Sequence, residues 1–188
     1  MNVKPILFNT QMVKAILEGR KTQTRRIVKP QPEWDVISNH YISQYDCGRS
    51  NWPICPGEIL WVRETWCRDA GRFMYRANYA DGEKFYRDGR EVNIRWAPSI
   101  HMPKEAARIF LRVKDVRIEL LQDMDEEAAI AEGFVDSHAG TGSPLMRFVE
   151  LWDKTIKRGD LREYGYYANP WVWAIEFERI EKPEGWCR

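Results

Sequence analysis

The order of the predicted elements constrains the fold of this 188-residue chain more than any other feature of its sequence. Hydrophobic patterns and turn residues predict a strand, a helix, several strands, two helices and a last strand, with no internal repeat. A doubly wound sheet needs regular alternation of strands and helices, so this order excludes it. The pattern instead favours an α+β fold, a small mixed β-barrel with flanking helices, in one domain over residues 1–188.

Each element is predicted from its own periodicity and from the residues that end it. We expect strands over residues 4–8, 59–66, 107–113, 116–120 and 171–178. We expect helices over residues 10–18, 125–132 and 144–157. Asp81-Gly82 predicts a hairpin that joins residues 73–79 to residues 84–86.

Composition narrows the class of protein. The chain has no apolar run near the length of a membrane helix and no signal-peptide pattern, so we expect a cytoplasmic protein with no membrane partner. Its four cysteines match no zinc-finger spacing, and we expect no metal and no cofactor. The alternative is a zinc site built from Cys47, Cys55, Cys67 and His40. The sequence does not determine the oligomeric state, and a monomer is one of the alternatives.

The formal net charge is only +1, but the basic residues are unevenly distributed. Residues 14–29 contain six basic residues and one acid, Glu18. The six are Lys14, Arg20, Lys21, Arg25, Arg26 and Lys29. A basic cluster on a nearly neutral chain attracts anions to one place. The alternative is a solvated helix end whose cations complement the helix dipole.

The segment Gly19-Arg20-Lys21-Thr22-Gln23-Thr24-Arg25-Arg26 lies at the exit of the first helix. It lacks the glycine spacing of a phosphate-binding loop. Lys21 precedes Thr24 by three residues, so a bend at the helix exit is needed to bring the amine and the hydroxyl together. Together they would form a nucleophile pair in which the amine takes the hydroxyl proton. The alternative is an ordinary basic stretch after a helix.

This segment resembles the signature of the ASCH family, in the PUA-like superfamily. The whole arrangement of the chain, with its Trp-rich inserts, is similar to ASCH-like proteins found in phages and prophages. Further stretches resemble the family in the same order along the chain. They are Pro56–Val62, Val113–Glu119, Ala131–Phe134, Phe148–Trp152 and Trp171–Phe177. The resemblance implies a small barrel, and it leaves two regions, residues 31–55 and 68–100, as insertions.

One bacterial branch of the family removes the acetyl group from N(4)-acetylcytidine. By resemblance, Thr24 would be the nucleophile, Lys21 its activating base and Glu132 the partner that orients or protonates. The resemblance also places Arg26 near the base or the phosphate of an RNA or modified nucleoside. This chain departs from the compact enzyme in its greater length and in Arg25, which stands where that enzyme has an apolar residue.

Two other functions stay open at this point. The barrel could bind RNA or a modified base without turnover, or the same pocket could cut RNA as a ribonuclease. The residues predicted to bind the substrate or RNA are Arg20, Thr22, Arg25, Arg26, Lys29, Arg63 and Glu64. Neighbours on a strand point to opposite faces, so one of Arg63 and Glu64 is expected to line the barrel mouth. Their alternative role is an ordinary ion pair. Aromatic residues in loops could stack on bases, or they could form a small second core. They are Trp34, Tyr41, Tyr45, Trp52, Tyr166 and Tyr167.

Overall fold

Nine strands and four α-helices make up the computed structural model, which describes residues 3–32, 54–135 and 142–186. The strands are β1 (Val3–Leu7), β2 (Gln23–Ile27), β3 (Ile59–Arg63), β4 (Trp66–Asp69), β5 (Arg72–Tyr75), β6 (Phe85–Arg87), β7 (Arg90–Val92), β8 (Phe110–Leu120) and β9 (Trp171–Ile180). The helices are α1 (Thr10–Leu17), α2 (Glu126–Ala131), α3 (Pro144–Thr155) and α4 (Leu161–Tyr164). The predicted mixed α+β class is therefore confirmed. None of the helices in these ranges is long and apolar enough to cross a membrane.

Five of the strands form the main sheet in the order β1-β3-β8-β9-β2. β1 runs parallel to β3, and the other neighbours are antiparallel. The predicted closed barrel is not present in the described part of the chain, because the edge strands β1 and β2 share no ladder. The sheet nevertheless curves until its edges approach, and Arg26 Nη2 on β2 donates to the Leu7 carbonyl on β1 at 2.9 Å.

The long pair β8–β9 explains part of this curvature. Its register shifts between Val113 and Asp115, and such a bulge bends a strand and increases its twist. The bulge also shows why the sequence suggests two strands, over residues 107–113 and 116–120, where the structure has one. Half of the residues of β9 are buried, four of them in succession over residues 172–175, as its weak alternation predicts.

The helices begin at polar caps and cover both faces of the sheet. Asn9 accepts from the Met12 amide at 2.8 Å at the start of α1, and Asp125 accepts from the Ala128 amide at 2.8 Å at the start of α2. One apolar cluster joins α1 to the sheet; it includes Phe8, Val13, Ile16, Trp173 and Phe177. A second cluster joins α2 and α3 to β9; it includes Leu121, Met124, Ala129, Phe148, Trp152 and Val172.

The predicted hairpin at Asp81-Gly82 is wrong. β5 pairs with β4 across Ala70-Gly71, and β6 pairs with β7 across Asp88-Gly89. All four turn residues have positive φ angles, as tight hairpin turns require. The Asp81 carboxylate instead accepts a hydrogen bond from Arg76 Nη2 at 2.8 Å, and this contact fixes the turn that precedes Asp81.

Several sequence predictions lie outside the described residues. They concern most of the predicted insertion over residues 31–55, including Trp34, Tyr41, Tyr45 and Trp52. His40 and Cys47 of the alternative zinc site also lie there. Elsewhere, in the described ranges, no group of three or more His, Cys, Asp and Glu side chains is arranged to hold a metal ion.

Candidate functional site

The backbone at the exit of α1 brings Lys21 against the end of α2. Gly19 turns the chain with a φ of +75°, and the amides of Arg20 and Lys21 both donate to the Ala15 carbonyl, at 2.9 and 3.1 Å. Lys21 then forms an antiparallel bridge with Glu132, and the Thr22 amide donates to Ala131 at 2.8 Å. The chain thus bends at the helix exit, but the bend brings the Lys21 amine to Glu132 and not to the Thr24 hydroxyl.

Gly133 makes the close approach of α1 and α2 possible. Its φ is +99°, and a Cβ atom there would lie 2.9 Å from Ala15 Cβ and 3.1 Å from Lys21 Cβ. A side chain at this position would therefore be strained by its backbone and would also collide with two neighbours. The glycine that ends α2 thus sets the position of Glu132.

Two buried cations contact the Glu132 carboxylate. Lys21 Nζ forms an ion pair with one carboxylate oxygen and also donates to the Glu132 carbonyl at 2.9 Å. Arg25 Nη1 lies 3.3 Å from the other carboxylate oxygen. Lys21, Arg25 and Glu132 are each at most 3% exposed. Burial lowers the pKa of Lys21, while the Glu132 carboxylate opposes the shift and the neighbouring arginines reinforce it.

A second carboxylate extends this group. Arg25 Nε donates to Glu119 Oε1 at 2.8 Å, and Arg117 Nε donates to Glu119 Oε2 at 2.9 Å. Arg25 therefore bridges two acids from different elements, Glu132 after α2 and Glu119 on β8. The residue that departs from the compact family pattern is thus an integral member of the buried charged group.

Thr24 lies beside this group, fully buried from bulk solvent. Its Oγ1 accepts a hydrogen bond from Arg26 Nη1 at 3.0 Å. Over the described ranges no hydrogen bond joins Thr24 to Lys21, whose ammonium is held by Glu132. The predicted convergence of amine, hydroxyl and carboxylate is found in part: the amine and the carboxylate are paired, and the hydroxyl faces the neighbouring arginine.

A cleft of about 520 Å³ lies beside Thr24, which belongs to its lining although it has no solvent-exposed surface. Its polar end is formed by Thr24, Arg25, Arg26 and Glu132, and its walls come from α1, α3 and the chain before β8. The aromatic and apolar lining residues include Phe8, Met12, Phe134, Phe148, Leu151 and Trp152. Thr65, Pro98 and Ser99 also line the cleft. The Lys21 side chain is not part of the lining and lies behind Glu132.

The remaining predicted binding residues lie away from the cleft. Arg20 bonds to Glu18 and to the Gly133 carbonyl, Thr22 is exposed, and Lys29 Nζ lies 4.1 Å from the centre of the Tyr164 ring. Arg63 donates to the Ile100 carbonyl and lies over Trp61. Glu64 is 1% exposed and accepts two hydrogen bonds from Arg108, at 2.8 and 2.9 Å.

Sequence reasoning missed the walls of the cleft. Phe8, Phe134, Phe148 and Trp152 were not among the predicted binding residues. Phe148 and Trp152 stand four residues apart, so one face of α3 presents both, and this spacing is the signal that the sequence offers. Tyr166 and Tyr167, which were predicted as possible stacking residues, do not line the cleft.

No protein-family model and no curated protein matches the chain. Solved structures do. The ASCH domain of Lactobacillus crispatus JV V101 aligns over 96% of this chain and 81% of its own, at 12% identity and a TM-score of 0.47. The hypothetical protein PH0355 aligns over 95% and 100%, at 13% identity and 0.43. The protein EF3133 of Enterococcus faecalis V583, described with the family model DUF984, aligns over 98% and 84%, at 10% identity and 0.47. These values record a partial likeness of fold and carry no functional assignment.

Proposed function

We propose that this protein binds a nucleobase, in RNA or in a modified nucleoside, and removes an acyl group from it by hydrolysis. The observation that carries the proposal is the composition of the cleft. A hydroxyl, a carboxylate and a guanidinium meet at one end, at Thr24, Glu132 and Arg26, and aromatic rings line the walls. Aromatic walls suit a planar base, and the polar end suits recognition of its edge.

The proposed reaction follows the ASCH resemblance, in which N(4)-acetylcytidine is the model substrate. Thr24 Oγ1 attacks the amide carbonyl, its proton passes to a nearby base and from there to the departing N4 nitrogen, and the C–N bond breaks to release cytidine. Water then hydrolyses the acyl-threonine ester to acetate. By the resemblance Lys21 is this base; burial lowers its pKa, and its amine would have to move away from Glu132, which holds it here, to reach Thr24. Arg26, which already donates to Thr24, lies where it can stabilise the negative oxygen of the intermediate.

Binding without turnover is the second candidate. It is favoured by one observation: the Lys21 ammonium is held by Glu132, and its hydrogen bonds reach that residue alone within the described chain. A protein with this function would use the same cleft and the same aromatic walls. It would differ only in leaving the amide bond intact.

One experiment separates the two candidates. The protein is incubated with N(4)-acetylcytidine and with a short RNA, cytidine and acetate are measured by chromatography, and binding is measured by calorimetry. Thr24→Val preserves side-chain shape and removes the hydroxyl, and Lys21→Ala removes the amine. Lys84→Ala is the control, since Lys84 is exposed and pairs with Glu91.

We expect the wild-type chain and Lys84→Ala to release cytidine, and Thr24→Val to bind without releasing it. Binding by the wild-type chain with no product would replace hydrolysis by the second candidate. If none of the ligands binds and none is converted, the proposed function is wrong.

A further inference from the structure

The Glu132 carboxylate contacts its two cations through two different oxygens. Lys21 Nζ pairs with Oε2, and Arg25 Nη1 lies 3.3 Å from Oε1. The proposed reaction requires the Lys21 amine to leave Glu132 for the Thr24 hydroxyl. A buried carboxylate that loses its only counter-ion is strongly destabilised. Because Arg25 occupies the other oxygen, Glu132 keeps one counter-ion when Lys21 moves.

Arg25 is itself held in place by a second acid. Its Nε and Nη2 atoms lie 2.8 and 2.7 Å from Glu119 Oε1, and Arg117 Nε donates to Glu119 Oε2 at 2.9 Å. All three nitrogens of the Arg25 guanidinium thus contact carboxylates, and its side chain is 1% exposed. Arg25 belongs to the lining of the cleft, but it has little free surface to offer a ligand.

The charged groups that act on Lys21 are Glu132, Arg25 and Arg26. Burial lowers the pKa of Lys21, Glu132 opposes the shift, and both arginines reinforce it. The hydrogen bonds of Arg26 go to Thr24 and to backbone carbonyls, so within the described ranges Arg25 is the second cation in contact with the Glu132 carboxylate. Arg25 therefore both stabilises the carboxylate and favours the neutral form of the Lys21 amine.

We propose that Arg25 is a positioning residue that keeps the Glu132 carboxylate charged and in place while the Lys21 amine moves to Thr24. There the neutral amine takes the hydroxyl proton and then gives it to the departing N4 nitrogen, as the proposed hydrolysis requires. The inference rests on the proposed function and adds the group that allows its base to move. The ASCH resemblance does not imply it, because the compact enzyme has an apolar residue where this chain has Arg25.

Steady-state kinetics with N(4)-acetylcytidine over a range of pH tests the inference. The proteins are the wild-type chain, Arg25→Gln, Arg25→Lys and the control Arg112→Gln. Arg112 is an exposed arginine on β8 that lies 3.7 Å from Glu178. For each protein, kcat and KM for the release of cytidine are measured separately, together with the melting temperature.

The remaining ion pairs explain why we expect Arg25→Gln to fold. Glu132 keeps Lys21 as its counter-ion, and Glu119 keeps Arg117, so neither carboxylate is left without a cation. The melting temperature shows whether the variant is folded. If it is not, Arg25→Lys takes its place, because one amine retains the charge but cannot contact both acids in the way that the guanidinium does.

We expect kcat of the wild-type chain to rise with pH as Lys21 loses its proton. Arg25→Gln should lower kcat at neutral pH by about tenfold or more and leave KM within about twofold. It should also move the midpoint of the rise in kcat to higher pH, because one positive neighbour of Lys21 is lost. Arg25→Lys should give an intermediate kcat, and Arg112→Gln should match the wild-type chain. A merely structural role of Arg25 would lower the melting temperature without moving that midpoint.

Two results overturn the inference while the proposed function stands. The first is a folded Arg25→Gln variant, or Arg25→Lys in its place, with the kcat and the midpoint of the wild-type chain. The second is a raised KM with unchanged kcat, which would return Arg25 to the residues that bind the substrate. If the wild-type chain releases no cytidine at any pH, the proposed hydrolysis itself fails, and the inference fails with it.

Discussion

The Lys21 ammonium and the Glu132 carboxylate form an ion pair in which both side chains are almost completely withdrawn from solvent. Arg25 contacts the second oxygen of the same carboxylate. Burial of the pair is costly, and removal of one partner leaves a charge that neither water nor a counter-ion stabilises fully. The stability of the whole domain should therefore respond to changes in this pair.

Glu132→Gln should lower the free energy of unfolding by about 3–5 kcal/mol, because it leaves two buried cations without their shared carboxylate. Lys21→Met should cost less, because Arg25 remains beside Glu132. Urea denaturation of both variants measures the difference. A loss below about 1 kcal/mol for Glu132→Gln would contradict the description of the pair as a buried, mutually dependent unit.

The pH dependence of stability should carry the signature of Lys21. Burial lowers its pKa in the folded state below the ordinary value of 10.5, so the unfolded chain binds more protons in the window just below pH 10.5. The contribution of Lys21 to the free energy of unfolding should therefore rise with pH in that window. Denaturation at several alkaline pH values, for the wild-type chain and Lys21→Met, isolates this contribution as the difference between them. A difference that falls with rising pH would show that the folded-state pKa of Lys21 is raised.

Gly133→Ala should destabilise the fold by about 1–3 kcal/mol, since the new methyl group meets Ala15 and Lys21 in a backbone conformation that already disfavours side chains. Gly82→Ala is the matched control. Gly82 also has a positive φ, of +77°, but a Cβ atom there would have no neighbour within 4 Å. Thermal unfolding should show the larger loss for Gly133→Ala, and equal losses would mean that the contacts around Gly133 are unimportant.

Glu64→Gln should lower stability without changing ligand binding. Glu64 is buried and accepts two parallel hydrogen bonds from Arg108, which also donates to Asn78 Oδ1 at 2.8 Å. Weakening this charged pair should cost about 1–3 kcal/mol. Calorimetry with the best ligand of the wild-type chain checks the second half of the prediction. A clear loss of affinity in a folded variant would return Glu64 to the binding residues, where the sequence first placed it.

The sequence predicts the parts of the site that follow from local patterns. The glycine after α1 predicts the turn before Lys21, and Gly133 marks the end of the helix that presents Glu132. The sequence could not predict that Arg25 bridges the carboxylates of Glu119 and Glu132. Arg25 meets Glu119 only through the pairing of distant strands, 94 residues apart. The hairpins show a different limit. Asp81-Gly82 and Asp88-Gly89 are the same dipeptide, but Asp88 has a positive φ angle, whereas Asp81 does not and pairs with Arg76 instead.

The pairing of Lys21 with Glu132 joins residues 111 positions apart along the chain. Such a contact has a high entropic cost of loop closure, so it forms only once most of the tertiary structure is in place. The site therefore has no counterpart in an isolated fragment or in a partly folded intermediate. A molecule that binds in the cleft therefore binds the folded state and not the unfolded chain. At a concentration one hundred times its Kd, it would add about 2.7 kcal/mol to the free energy of unfolding. A thermal-shift screen of small-molecule libraries can thus find the natural ligand without an assay for turnover.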